Sequence, residues 1–211
     1  MMMRSLLCCR PTTIFLTSGV SRWFWNPPSK QRLSTPGRVI LLGASPQGPE
    51  VEYGWIETGP PVHSTGGDCS RVLGFFEKPP LYLARELLGR GSLWNTFVMV
   101  GHVRGFLELV NHSLPELLKH LRGSPLWAGV EVQVQKSLYE RIPSTDFSRD
   151  VLSVQIPRLL VLRMGSTGWS DLGHPDRVLT VLKAAGLKPW WMKRLKTSEL
   201  GPVGDKAVLN G

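Results

Sequence analysis

Apolar and polar positions alternate along this chain in short runs of two periods. Arg38-Val39-Ile40-Leu41-Leu42-Gly43 is a continuous apolar run closed by glycine, the pattern of a strand buried on both faces. Tyr53-Gly54-Trp55-Ile56-Glu57 alternates like a strand whose glycine admits a close neighbour. Val72 to Phe76 is a third strand, and Glu77-Lys78-Pro79 ends it because proline cannot donate to a ladder. The Gly- and Pro-rich stretch from Thr58 to Ser70 between the last two reads as a surface loop, which makes them a long-looped antiparallel pair. From Leu81 to Leu88 the period changes: Leu81, Ala84, Leu87 and Leu88 share one helical face, with Gly89 and Gly91 as stops. Leu93 to Val100 is apolar again. Strand, helix and strand within about thirty residues have the size of a βαβ unit. Glu77, Lys78 and Asn95 lie at the edges of its strands, where open α/β sheets bind ligands.

Downstream, Val103 to Leu109 and Leu114 to Leu121 carry helical patterns, the first facing Phe106, Leu107 and Val110 inward. Gly123-Ser124-Pro125 breaks the chain. The valines between Val130 and Tyr139 alternate like a strand, although their place between helical pieces favours a helix. Ser144-Thr145-Asp146-Phe147 is a cap and first turn for a short helix through Val151. Leu159 to Met164 is a last buried strand, and the turn-rich Gly165 to Gly173 follows. Pro175 then opens a helix with Val178, Leu179, Val181, Leu182 and Ala185 on its buried stripe, closed by Gly186. The expected class is α/β: one domain over 37–187, an N-terminal segment 1–36 that does not fold with it, and a basic tail 188–211 whose Trp190 and Trp191 fold back.

The formal net charge of +9 raises the question of nucleic acid, and its distribution answers it. All 16 acidic residues lie at or after Glu50, so from there on 19 basic residues against 16 acidic leave +3. A nucleic-acid partner is therefore not expected. No apolar run approaches the roughly eighteen residues of a membrane span. Cys8, Cys9 and Cys69 make neither a metal spacing nor a disulfide framework, which points to a reduced, cytoplasmic setting. The acid-free, Arg- and Ser-containing start is also compatible with a transit peptide.

Familiar catalytic signatures are missing: there is no GxSxG, Walker loop, GxGxxG or HExxH, and the five histidines show no ligand spacing. His174 alone adjoins a candidate site, and reads as a helix-start residue. Two places remain. Glu77 and Lys78 sit side by side at a strand end. Neighbours on a regular strand point to opposite faces, so both line one cavity only where the strand distorts, as before a proline. The plainer alternative is a solvated strand end. Asp171 lies in a tight turn between a buried strand and a helix start. It is either a capping group or a ligand of a hard cation such as Mg²⁺, and the helix start favours a phosphate nearby.

Tyr53-Gly54-Trp55-Ile56-Glu57, Phe76-Glu77-Lys78-Pro79, Leu93-Trp94-Asn95-Thr96 and Trp169-Ser170-Asp171-Leu172-Gly173 follow the order seen in sugar-phosphate nucleotidyltransferases. The chain resembles that family from about Arg38 to Gly186, and most the mannose-1-phosphate guanylyltransferase branch. The resemblance implies a Rossmann-like nucleotide-diphospho-sugar transferase fold with a mixed, mostly parallel sheet flanked by helices. It implies transfer of a nucleotidyl group from a nucleoside triphosphate (GTP) to a sugar 1-phosphate (mannose 1-phosphate). Under it Tyr53 and Gly54 lie along the sugar, Glu77 accepts from sugar hydroxyls, Lys78 binds the phosphate and Asn95 holds the sugar or ribose side. Asp171 is one of two aspartates on a catalytic Mg²⁺, with Lys78 and Asp171 the catalytic pair. The family's glycine-rich loop and second metal-binding Asp are not found, and Phe97 stands where many relatives carry glycine. The expectation is an incomplete domain with an open sheet edge that is poorly stable, dimerises or aggregates, and has negligible activity. The alternative is a non-catalytic remnant that binds a sugar phosphate or a partner subunit.

Overall fold

The computed structural model describes residues 37–65, 69–122, 142–165 and 168–194, together with the backbone of 5–8 and 13–14. In chain order the elements are β1 (Ser5–Cys8), β2 (Thr13–Ile14), β3 (Val39–Ala44), β4 (Gly54–Pro61), β5 (Cys69–Glu77), α1 (Leu81–Gly89), β6 (Leu93–His102), α2 (Val103–Ser113) and α3 (Pro115–Arg122). A π-helical turn (Phe147–Leu152) follows, then β7 (Leu159–Arg163), β8 (Ser170–Asp171) and α4 (Pro175–Ala184). The ambiguous valine stretch 130–139 lies outside the described residues, as does the tail beyond 194.

β3 and β7 show why a continuous apolar run becomes a strand. Val39 and Leu41 of β3, with Leu159 and Val161 of β7, enter one buried cluster, while Ile40, Leu42, Leu160 and Leu162 enter the other on the opposite face. Both faces are covered, so no position is free to be polar. Leu109 of α2 with Val151 and Leu152 of the π-helical turn close the cluster of Val39 and Leu41; Ala84 and Leu87 of α1 close the cluster of Ile40 and Leu42. Within α1 the expected stripe is narrower than its pattern, because Leu81 sits in the first turn and is 45% exposed. In α4 Leu179 and Val181 are buried and Ala185 is exposed. Gly186 ends that helix at φ 67°, the left-handed conformation in which glycine has no Cβ penalty.

The mixed α/β class holds, but the sheet is not mostly parallel. Five strands pair in a ring, β3-β7-β5-β4-β6 and back to β3. Among the described residues β3–β7 is the one parallel pairing, and the others are antiparallel. The strands that α1 connects, β5 and β6, do run the same way, yet β4 lies between them and pairs antiparallel with both. The hydrophobic period reports which faces are buried and carries no information on strand direction. β5 and β4 form the expected antiparallel pair, with Gly54 opposite Glu77.

Two stretches of the segment expected to stay apart from the domain join the sheets. β1 pairs with Met99–His102 of β6, and β2 pairs with β8. Among the described residues β6 pairs with β4 at Leu93 and Trp94, and β1 takes the far end of that side of β6.

Candidate functional site

A cavity of about 540 Å³ opens where β4, β5 and β6 end and where the chain runs through β8 into α4. Its strand wall is made by the sheet register. Gly54 stands opposite Glu77, and a Cβ at Gly54 would lie 2.8 Å from Glu77 Oε2 and 3.3 Å from Asn95 Cβ. The Glu77 carboxylate therefore lies across a backbone that only glycine leaves bare. Lys78 follows with φ 47°, its N–H donating to Tyr53 O at 3.2 Å. That reversal before Pro79 breaks the alternation of the strand, so Glu77 and Lys78 line the same cavity. On β6, Asn95 is buried, and its Oδ1 accepts the Phe97 N–H at 3.1 Å. Phe97 has φ 58° and sets its ring edge-on to Phe147, centroids 6.1 Å apart. Among the described residues Lys78 and Phe97 are the non-glycine residues with positive φ, and both line this cavity. Such strain, about 1–2 kcal/mol per residue, persists where surrounding structure over-determines it, and it concentrates at functional sites.

Tyr53, Trp94 and Trp169 pack edge to face beneath the cavity, with centroids 5.0 and 5.2 Å from Tyr53. Burial raises the Tyr53 phenol above its ordinary pKa, against the opposing pull of Arg177, so it remains a neutral hydroxyl at physiological pH. The Arg177 guanidinium lies over the Tyr53 ring, 4.4 Å from its centroid. It reaches Asp171 Oδ1 with Nη1 and Glu50 Oε2 with Nη2, each at 3.5 Å. Glu50 is held in turn: its backbone carbonyl accepts the Trp55 Nε1–H at 2.7 Å. Asp171 Oδ1 also accepts the Gly173 N–H, and the His174 ring caps α4 by accepting the Asp176 N–H at 3.4 Å.

The cavity is lined by four carboxylates, Glu52, Glu77, Asp146 and Asp171, and by two basic side chains, Lys78 and Arg177. Both cations have partners. Lys78 Nζ is 3.5 Å from Glu52 Oε2, with both side chains more than half exposed. An ion pair of that kind contributes about 0–1 kcal/mol, so an anion displaces Glu52 at little cost. A Mg²⁺ ion at Asp171, as expected from the resemblance, would share that carboxylate with Arg177. Asp171 Oδ1 is taken up by Gly173 and Arg177, and among the described residues no group of three His, Cys, Asp or Glu side chains is placed to hold a metal ion.

All six residues singled out in the sequence, Tyr53, Gly54, Glu77, Lys78, Asn95 and Asp171, line this one cavity. Sequence reasoning did not find Glu52, Asp146 or Arg177. Asp146 is the helix cap its sequence predicts, accepting the Arg149 N–H at 2.9 Å. The cap also brings it to the cavity, because Phe97 packs against Phe147 beside it. Arg177 lies on the polar side of an ordinary helical pattern, with no local signal for its partners.

The chain that carries this site, with a carboxylate over a bare glycine and a lysine beside it, is similar in sequence to sugar-phosphate nucleotidyltransferases. The particular relatives are mannose-1-phosphate guanylyltransferases. One from Salmonella montevideo is 32% identical over 150 residues, 68% of this chain and 31% of that protein. Another, from Sinorhizobium fredii, is 26% identical over 147 residues, 67% of this chain and 28% of that protein. The xanthan biosynthesis protein XanB of Xanthomonas campestris is 24% identical over 156 residues, 71% of this chain and 32% of that protein. The chain thus spans about a third of the length of these relatives. Among solved structures, a mannose-1-phosphate geranyltransferase from Thermus thermophilus superimposes with a TM-score of 0.69 at 26% identity, covering 84% of this chain and 49% of that one. A mannose-6-phosphate isomerase from Helicobacter pylori, 17% identical with a TM-score of 0.63 over 80% of this chain and 64% of that one, shares the fold. No family model matches the chain. Among the described residues, no helix is long and apolar enough to cross a membrane.

Proposed function

We propose that the cavity is the sugar 1-phosphate site of a nucleotidyltransferase, with mannose 1-phosphate and GTP, the pair to which the relatives' names point, as substrates. In that reaction a phosphate oxygen of the sugar 1-phosphate attacks the α-phosphorus of the triphosphate. The bond from that phosphorus to the β-bridging oxygen breaks, and pyrophosphate leaves. The nucleophile is already an anion, so the site needs no strong base; alignment and charge compensation carry the rate. Glu77 accepts from sugar hydroxyls over the bare backbone of Gly54, Asn95 donates from its amide, and Lys78 gives up Glu52 for the phosphate. Tyr53, kept neutral, supports the sugar with its ring stack.

The observation that carries this reading is that Lys78 and Asp171, 93 positions apart in sequence, line one cavity with Glu77 between a glycine and an asparagine. The test is calorimetric titration of the purified chain with mannose 1-phosphate, and assay with GTP for GDP-mannose and pyrophosphate. Glu77→Ala is expected to weaken mannose 1-phosphate binding about 10- to 100-fold, the range of a lost hydrogen bond to a charged group. Failure of the native chain to bind mannose 1-phosphate sinks the reading. Binding without turnover is the second reading, favoured by the Arg177 guanidinium where the metal was expected beside Asp171.

A further inference from the structure

The Asp171 end of the cavity holds a cation of the protein's own. Arg177 stands in the first turn of α4 with its side chain 20% exposed, its guanidinium stacked on Tyr53 and bridging two carboxylates from distant parts of the chain. Each contact restricts a different freedom. The ring fixes the plane, Glu50 and Asp171 fix the rotation within it, and the Trp55 indole anchors the Glu50 backbone. A guanidinium carries five N–H donors, and two ion-pair contacts engage one on each terminal nitrogen. The remaining donors belong to a group that lines the cavity. Arg177 also approaches the same Asp171 oxygen that accepts the Gly173 N–H, so a divalent ion at that oxygen has to displace it.

We propose that Arg177 is the built-in cation of this site: it neutralises Asp171 in place of a divalent metal ion and, with Lys78, gives the phosphate of the ligand a metal-independent seat. This deepens the sugar-phosphate reading and rests on it for the identity of the ligand. The competition between Arg177 and metal at Asp171 stands independently of that identity. Arginine suits the task because its charge is permanent and its planar donors match phosphate oxygens. The balance of charge also requires a cation, since four lining carboxylates oppose an incoming dianion.

Two measurements on the full chain test it. The first is Mn²⁺ titration, with free ion followed by electron paramagnetic resonance. The native chain is expected to show no tight site. Arg177→Gln is expected to gain about tenfold in Mn²⁺ affinity, the scale of one charge-assisted contact, and Arg177→Gln with Asp171→Asn is expected to lose the gain. A tight Mn²⁺ site in the native chain that Asp171→Asn abolishes overturns the proposal, as does an Arg177→Gln variant that gains nothing. The second is mannose 1-phosphate binding in excess chelator. The native chain is expected to bind equally well with chelator or with Mg²⁺, and Arg177→Gln to bind about tenfold more weakly. Binding that requires Mg²⁺ overturns the proposal. If the native chain binds no mannose 1-phosphate under either condition, the sugar-phosphate reading and the phosphate seat fall together, while the Mn²⁺ titration still decides whether Arg177 holds the metal position. Arg177→Met, which keeps most of the apolar length of the side chain and removes its charge, serves in both arms should the glutamine variant not fold.

Discussion

The two walls of the cavity are built by different physics. The strand wall, Gly54, Glu77, Lys78 and Asn95, is positioned by ladder pairing between β4, β5 and β6 and by a close approach that a single added carbon would spoil. Its supports are buried: Trp55, Ile56 and Leu93 are fully excluded from solvent. The rim, Asp171, His174 and Arg177, hangs on a two-residue strand, a capped helix start and ion pairs at 3.5 Å. One wall is held by short-range packing that is lost in a single cooperative step. The other is held by charges that exchange partners with little change in stability. A site of this kind keeps the sugar position rigid and leaves the charge compensation adjustable.

The sharpest way to break that contrast is Trp55→Ala. It removes a fully buried ring and the hydrogen bond that anchors Glu50, with an expected loss of about 3–5 kcal/mol in urea unfolding. The rim counterpart, Arg177→Gln, is expected to cost about 1 kcal/mol or less in the same experiment. Equal losses from the two variants mean that the walls are not built differently after all.

Lys78→Gly addresses strain within the strand wall. Glycine relieves about 1–2 kcal/mol of left-handed strain and returns about 0.5–1 kcal/mol through the entropy of the unfolded chain. The variant is therefore expected to be slightly more stable than the native chain, by about 0.5 kcal/mol, while it binds mannose 1-phosphate more weakly. A variant that is both less stable and unimpaired in binding shows that the strain serves packing and not the ligand.

The smallest effect lies away from both walls. The hydrogen bond from Arg104 holds the Glu108 carboxyl below its ordinary pKa, with Arg158 and His112 adding to it. A lowered carboxyl pKa means a contribution that is present above the ordinary carboxylate range and is lost as pH falls through the lowered value. Glu108→Gln should accordingly flatten the acid limb of the stability profile and leave mannose 1-phosphate affinity unchanged, since α2 does not line the cavity. A change in affinity would tie this surface network to the site.

How much of this was legible beforehand follows from the range of each interaction. The apolar runs of β3 and β7 announced strands buried on both faces, and Pro79 announced where β5 stops, because solvent exclusion and a missing N–H act on the residues that carry them. The distortion that lets Glu77 and Lys78 face one cavity was foreseeable from the same proline, and Lys78 has it. The buried stripe of α1 is narrower than its apolar pattern because Leu81 falls in the first turn, where the helix meets solvent. The ring of strands was not legible at all: β4 between β5 and β6, and β5 against β7, are choices of partner that leave the hydrophobic period unchanged.

The amino-acid pattern by itself determined which segments become strands and helices, where they end, and which polar groups stand at those ends. Only the tertiary structure decided that Arg177 would lie between Glu50 and Asp171, that the Phe97–Phe147 contact would bring Asp146 to the cavity, and that the sheet would close through antiparallel neighbours. Local conformation depends on groups a few bonds or one helical turn apart. An ion pair depends on distance in space, and residues far apart in the chain acquire that distance only once the core between them has packed.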